Sequence, residues 1–363
     1  MKNSLRIFVV ASVLLMLASF AHAQDGATRA EFECLTLANS SALAVHGDAS
    51  PFLSFHHVWT PGLDYGTFQS NGLKLVYETQ GSGSEIVIVI HGGAGLPHEY
   101  FHPMLYNLSR YAKLVFFDRR ADMLSTRSGN GMASVEEMSD DIDALRKSLG
   151  LERVTLLGHS FGATIALNYA FRHPANVRRL ILVSASAAVE NPNEGEKRIL
   201  STLSKTEMAA YNSSEGGTGA NRPCDRVRMR YAVLYPHYFH HLIPYDFDRG
   251  VYTAYFDALS RKQALAGDST MVDMRGHLGD IKAPTLIIAG RHDLVTTPDQ
   301  SSELASGLVQ SRLVMMEHSA HFPFFEENYL FTEWVRRFLT ATSGLQDDRT
   351  TRGPVAESSG GSH

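Results

Sequence analysis

Arg153-Val154-Thr155-Leu156-Leu157-Gly158-His159-Ser160-Phe161-Gly162 carries a strand, a tight turn and the start of a helix within ten residues. Arg153 to Leu157 is apolar and β-branched, as a buried strand requires. Phe161 to Phe171 follows with Ala163, Ile165, Ala166, Leu167 and Ala170 on a packing face, which predicts a helix. A serine in so abrupt a strand-to-helix turn is held in a strained backbone conformation with its Oγ above the sheet. Gly158 and Gly162 flank it because strand and helix leave no space there for a Cβ. The N–H groups at the helix start point to where negative charge would develop during attack on a carbonyl. Ser160 is therefore the candidate nucleophile.

The same rhythm extends on both sides. Phe68 to Tyr77, Glu85 to Ile90 and Lys113 to Asp118 read as strands, and the second is an unbroken apolar run of the kind buried on both faces. Ser134 caps a helix, Glu137 completes a capping box, Met138, Ile142, Leu145 and Leu149 form the buried stripe, and Gly150 ends it. Leu180 to Ser184, Pro284 to Gly290 and Leu313 to Met316 are further strands, and Asn328 to Leu339 a closing helix. Alternation of strand and helix implies an α/β fold with a mostly parallel sheet and helices on both faces. Between Ala187 and Gly276 the rhythm breaks into a stretch dense in aromatics and histidines, read as a helical cap inserted into the sheet domain.

A serine hydroxyl needs an imidazole base, itself oriented by a carboxylate. In a parallel sheet these groups sit on loops at the C-terminal strand ends. Asp293 follows the strand Thr285 to Ala289 across Gly290-Arg291-His292, and His321 follows Leu313 to Met316 in the loop Ser319-Ala320-His321-Phe322. They are the expected acid and base, with Asp280 and Asp299 as rival acids and His318 as rival base. His91-Gly92-Gly93-Ala94-Gly95 follows another strand, and its glycines let backbone N–H groups face a substrate. The expected oxyanion donors are the backbone N–H groups of Gly93 and Phe161, with His91 and His159 bracing their loops.

These motifs resemble those of serine hydrolases of the α/β-hydrolase superfamily, most like the proline iminopeptidase branch, over residues 66–341. That branch shows His-Gly-Gly-Pro-Gly, Asp-x-Arg-Gly, Gly-x-Ser-x-Gly, a helical cap, Pro-Thr-Leu before Gly-x-x-Asp, and a His with a Glu five residues on. Here the matching residues are His91 to Gly95, Asp118 to Arg120, Gly158 to Gly162, Pro284 to Asp293, and His321 with Glu326. The chain order Ser…Asp…His is also that of the superfamily. Ala94 stands where the branch has proline, and Ala121 where it has glycine. The branch's cap glutamates, which bind a substrate amino group, have no match in Tyr252 to Leu259, where Asp257 is the only acid; Glu207, Asp225, Asp246 and Asp248 are other candidates. The resemblance implies a hydrolase cleaving an amide or ester of a small-molecule or short-peptide substrate through an acyl-enzyme. A carboxylesterase or lactonase is the alternative within the fold, and a non-catalytic ligand-binding protein the alternative outside enzymes. Dehalogenase and epoxide-hydrolase relatives use aspartate where this chain has Ser160.

Composition narrows the partners. With 44% hydrophobic and 20% charged residues and a net charge of −5, the chain has no basic stripe for nucleic acid. Lys2, Arg6, the apolar Ile7 to Leu17 and Ala21-His22-Ala23 form an export-signal pattern, predicting cleavage near Ala23-Gln24, a periplasmic or secreted protein, and no membrane association afterwards. In an oxidising compartment Cys34 and Cys224 could pair, with two free thiols as the alternative. No His/Cys cluster has metal-ligand spacing, and neither metal nor cofactor is expected. The expected organisation is a signal at 1–23, an extension at 24–65, core at 66–186, cap at 187–275, core at 276–341 and a disordered Gly/Ser-rich tail at 342–363.

Overall fold

Eight strands form one sheet in a computed structural model that describes residues 63–93, 98–120, 133–189, 191, 193–216, 230, 233–241 and 272–341. The expected export signal, both cysteines, Asp225, Asp246, Asp248, Asp257, Ala94 and the expected tail lie outside the described residues. The strands are β1 (Leu63–Ser70), β2 (Leu73–Gln80), β3 (Glu85–Ile90), β4 (Ala112–Phe117), β5 (Val154–His159), β6 (Val177–Val183), β9 (Thr285–Gly290) and β10 (Ser311–Met316). A separate pair, β7 (Ala188–Val189) and β8 (Val272–Asp273), is antiparallel. The main sheet runs β1-β2-β4-β3-β5-β6-β9-β10. Every neighbouring pair from β4 to β10 is parallel, while β2 lies antiparallel to both β1 and β4.

Phe68 to Tyr77, expected as one strand, is a hairpin. Asn71 and Gly72 take φ of 47° and 79°, so the chain reverses there and Ser70 faces Leu73. Asn-Gly accepts two successive left-handed residues, the geometry that matches the twist of paired strands. Strand β1 also starts at Leu63, ahead of the expected core boundary at 66, because its pairing with β2 reaches back to Gln80.

Side-chain alternation sends each parallel strand into two cores. Ile88 and Ile90 of β3, Leu156 of β5 and Ile287 of β9 pack with helices α1 (Val135–Ser148) and α2 (Phe161–Arg172) on one face. Val87, Val89, Leu157, Leu286 and Ile288 pack on the other, with Phe331, Val335 and Phe338 of the C-terminal helix Asn328–Thr340. Burying both faces of a strand explains runs with no polar residue. Helix α1 starts at the capping box: Glu137 N–H donates to Ser134 Oγ at 3.2 Å and Ser134 N–H to Glu137 Oε2 at 2.9 Å. Met138, Ile142 and Leu145 are buried and Leu149 packs partly against them.

The β7–β8 pair joins the two ends of the segment that interrupts the sheet between β6 and β9. Within that segment the described residues include α3 (Glu194–Thr202), α4 (Lys205–Gly216) and the single turn Tyr235–Tyr238. Among the described residues three further α-helices follow β8: α5 (Pro298–Gly307), α6 (Pro323–Glu326) and α7 (Asn328–Thr340). No helix among the described residues is long and apolar enough to cross a membrane.

Candidate active site

Strand β5 ends at His159 and α2 begins at Phe161, so Ser160 alone makes the turn, with φ 52° and ψ −121°. For a residue with a Cβ this is a strained conformation, costing on the order of 1–3 kcal/mol that the surrounding packing must supply. The packing is tight. A Cβ on Gly162 would lie 2.2 Å from the Ile90 carbonyl oxygen, and one on Gly158 2.5 Å from that of Gly162. The Ser160 N–H donates to the Val183 carbonyl at 2.9 Å, which ties the turn to β6.

Asp293, His321 and Ser160 come together at the C-terminal ends of β9, β10 and β5. His321 Nδ1 donates to Asp293 Oδ2 at 2.8 Å, and Ser160 Oγ donates to His321 Nε2 at 3.1 Å. The carboxylate partner sets this tautomer, because an ionised carboxylate only accepts. The second carboxylate oxygen of Asp293 accepts the N–H groups of Val295 and Thr296 at 2.8 and 2.9 Å. Asp293 and His321 are 2% and 3% exposed, so little water competes for these bonds. The rivals are elsewhere: His318, Asp280 and Asp299 are all exposed. The backbone of His321 is also fixed, its N–H donating to the Tyr238 carbonyl at 3.0 Å. Its carbonyl accepts from His159 Nε2 at 2.9 Å and Ser184 Oγ at 3.0 Å.

A buried relay links the base loop to the glycine loop. Gly92 N–H donates to Tyr100 Oη at 2.7 Å, and that hydroxyl donates to His159 Nδ1 at 2.8 Å. With Nε2 donating to the His321 carbonyl, His159 is a neutral imidazole using both nitrogens. Burial first, then the nearby His321, holds its pKa well below the ordinary histidine value. His91 is held low in the same way, by burial and then by Arg119. Burial pushes the Tyr100 phenol up, so it stays protonated and able to donate.

Gly93, one expected oxyanion donor, has φ 60°, and its carbonyl accepts a hydrogen bond from Arg119. The Arg119 guanidinium also lies 5.4 Å from the ring centre of Phe161, the other expected donor. Arg119 thus connects the two segments. A Cβ on Gly92 would lie 3.0 Å from Ser160 Cβ, which measures how closely the glycine loop crosses the serine.

Below that loop lies a buried polar cluster. His98 Nε2 and His102 Nε2 each meet Glu78 Oε2 at 3.1 Å, and His98 Nδ1 meets Asp118 Oδ1 at 2.7 Å. Burial pushes the Glu78 carboxyl up, but hydrogen bonds from His102 and His98 outweigh it and hold it well below the usual range. This cluster joins β2 and β4 to the turn that carries Tyr100. Arg120 likewise pairs with Asp141 of α1 through two nitrogens, at 2.8 and 2.6 Å.

Aromatic side chains of the interrupting segment pack against His321 and Phe322. The Tyr238 ring lies 5.7 Å from that of His321, edge on, and Phe239 stacks on Phe322 at 5.0 Å. Tyr235 contacts Phe322 at 6.4 Å. Glu326 fastens the two parts, accepting from Ala320 N–H at 2.7 Å with one oxygen and from His240 and His241 N–H at 2.7 and 2.9 Å with the other. Glu207, a candidate for binding an amino group, pairs instead with His237 at 3.2 Å. Tyr100 and Arg119 were not singled out by sequence reasoning. Nothing local marks Tyr100, whose partners are 8 and 59 residues away in the chain.

A serine on a strand–turn–helix, hydrogen-bonded to a buried His–Asp pair at the C-terminal edge of a parallel sheet, has the arrangement of a hydrolase class. The chain belongs to the alpha/beta hydrolase fold family, whose model matches residues 85–328. It is 26% identical over 298 residues to a proline iminopeptidase of Saccharolobus solfataricus, covering 77% of this chain and 92% of that one. Among solved structures it resembles an esterase from Exiguobacterium antarcticum, with TM-score 0.61, 23% identity and coverage of 76% of this chain and 99% of that one. An enol-lactonase from Burkholderia xenovorans matches with TM-score 0.55 and 23% identity, covering 76% and 100%. At that identity the two structures speak for the fold alone.

Proposed function

We propose that the chain hydrolyses an amide or ester bond of a small substrate through an acyl-enzyme on Ser160, in the manner of a proline iminopeptidase. The observation that carries this is the hydrogen-bonded line Ser160 Oγ–His321 Nε2 and His321 Nδ1–Asp293 Oδ2, at 3.1 and 2.8 Å. Ser160 Oγ attacks the substrate carbonyl carbon while its proton passes to His321 Nε2. The new C–O bond pushes the carbonyl electron pair onto oxygen, where the N–H groups of Phe161 and Gly93 receive it. Collapse of the tetrahedral adduct breaks the bond to the amine or alcohol, which takes the proton from His321. Water then repeats the sequence on the ester and regenerates Ser160. Asp293 holds the Nδ1–H tautomer and stabilises the imidazolium.

Carboxylesterase or lactonase activity is the second reading. It is favoured by the aromatic surroundings of His321, where Tyr235, Tyr238, Phe239 and Phe322 pack together. Such a lining accepts an apolar acyl group without a charged partner. The sequence pattern at Lys2 to Ala23 supports an exported enzyme, and a secreted product beginning at Gln24 by mass analysis would establish it.

Pro-β-naphthylamide and short p-nitrophenyl esters, assayed side by side with a fluorophosphonate probe, test the function. Turnover of the amide with loss in Ser160→Ala supports the peptidase, and turnover of esters alone supports the second reading. Wild-type protein that turns over neither and leaves the probe unreacted defeats both.

A further inference from the structure

Histidines from three separate segments meet beside the loops that carry Asp293 and His321. His240 lies face to face on His292, with ring centres 3.5 Å apart and planes 4° from parallel. His240 and His241 are 4.1 Å apart, and His241 is 6.3 Å from His318. One ligand nitrogen each from His240, His241 and His318 lies within 4.8 Å of the other two. All three are exposed. Like-charged rings crowded in this way would repel if protonated. As neutral bases they offer three ring nitrogens within 4.8 Å of one another.

We propose that His240, His241 and His318 bind one divalent transition-metal ion of the zinc type, which fastens the interrupting segment to the loop leading to His321. Imidazole nitrogen suits Zn²⁺, Cu²⁺ and Ni²⁺, whereas Mg²⁺ and Ca²⁺ demand oxygen. Tetrahedral Zn²⁺ with nitrogen ligands near 2.0–2.1 Å needs them about 3.3 Å apart, so an ion would draw together nitrogens that lie within 4.8 Å of one another. Water completes the fourth position.

The backbones that present the ligands are already anchored. Glu326 accepts the N–H groups of His240 and His241 at 2.7 and 2.9 Å, and Glu327 accepts that of His318 at 3.0 Å. His292 supports the site from outside the ligand set, stacking on His240 while its Nε2 donates to the Glu317 carbonyl at 3.2 Å. Holding ligand rings by neighbouring contacts is a general feature of metal sites. The ion reaches across a seam that the backbone already bridges, where His321 N–H donates to the Tyr238 carbonyl at 3.0 Å. It binds on the surface and exchanges freely, and it is separate from the Ser160 chemistry.

Titration of the untagged, EDTA-treated full chain with ZnCl₂ by calorimetry tests this, with MgCl₂ as control and thermal melting as a second readout. One Zn²⁺ per chain is expected, with no Mg²⁺ binding. At a Zn²⁺ concentration about a hundredfold above Kd, melting rises by a few degrees. His240→Ala and His318→Ala each weaken binding by at least about tenfold, and their unchanged melting without metal shows that they fold. Uptake below one ion per chain overturns the site. So does His318→Ala protein that binds Zn²⁺ as tightly as wild type, since the ion would then not join the two segments.

Discussion

Replacing Tyr100 with phenylalanine removes one oxygen and keeps the ring. That oxygen accepts from Gly92 N–H at 2.7 Å and donates to His159 Nδ1 at 2.8 Å, and Tyr100 is 6% exposed. Two buried polar groups lose their partner, and each such loss costs about 1–3 kcal/mol. The ring itself still packs on Phe101 and Phe324, at 4.2 and 6.0 Å, so no cavity cost is added. A destabilisation of about 2–6 kcal/mol follows, and at ~2–4 °C per kcal/mol the melting temperature falls by at least several degrees. Activity changes for a different reason. Freed from the hydroxyl, the loop keeps only the Arg119 bond to Gly93, its height above Ser160 at Gly92 is no longer fixed, and a misplacement of about 1 Å is enough to cost ~10²-fold in rate. Thermal melting and kcat on p-nitrophenyl butyrate measure the two effects separately. A Tyr100→Phe protein that melts within about 1 °C of wild type and keeps its kcat would refute the relay as described.

Asp293→Asn should keep the fold but lose on the order of 10⁴ in kcat, since an amide in that place favours the wrong imidazole tautomer; steady-state kinetics at pH 7–8 reads this. Gly290→Ala should cost more than tenfold in kcat, because a Cβ there would lie 2.0 Å from the Ala320 carbonyl oxygen and push the His321 loop outward; a fluorophosphonate labelling rate equal to wild type would contradict it. His91 and His159 make stability fall on acidification. Their folded pKa values are depressed, so below the unfolded value of about 6.5 only the unfolded chain takes up the protons. Each histidine then contributes a loss of about 1.4 kcal/mol per pH unit until its folded pKa is reached. Urea unfolding at pH 7.5, 6 and 5 should show that decline, and a flat profile would exclude neutral buried histidines.

What was legible in the sequence was whatever lies close along the chain. The turn at Ser160, the capping box at Ser134–Glu137 and the apolar runs Glu85–Ile90 and Thr285–Ala289 each declare themselves within ten residues. The meeting of Asp293 and His321 was also readable, because loops after neighbouring parallel strands emerge at the same edge of the sheet. Contacts between distant segments left no such trace. Arg119 faces Gly93 across 26 residues, and Glu78 of β2 meets His98 and His102 of the turns between β3 and β4. The hairpin at Asn71-Gly72 failed for another reason: apolar residues on both sides hid a turn signal that was present. The four gathered histidines belong to spacing-blind geometry too, since His292 and His318 are brought to His240 by the parallel pairing of β9 and β10.

The pairing of Ala188–Val189 with Val272–Asp273 bears on how such a chain can change over time. Because both ends of the interruption meet in one short ladder, the sheet experiences residues 190–271 as a single closed loop. The entropy of closing a loop grows only with the logarithm of its length, by about 0.6 kcal/mol for each doubling. Changes of length away from Tyr238, His240 and His241, whose backbones bond to His321 and Glu326, therefore make small demands on the folding of β6 and β9. Selection can vary the length of that covering above an unchanged Ser160 turn at little thermodynamic risk.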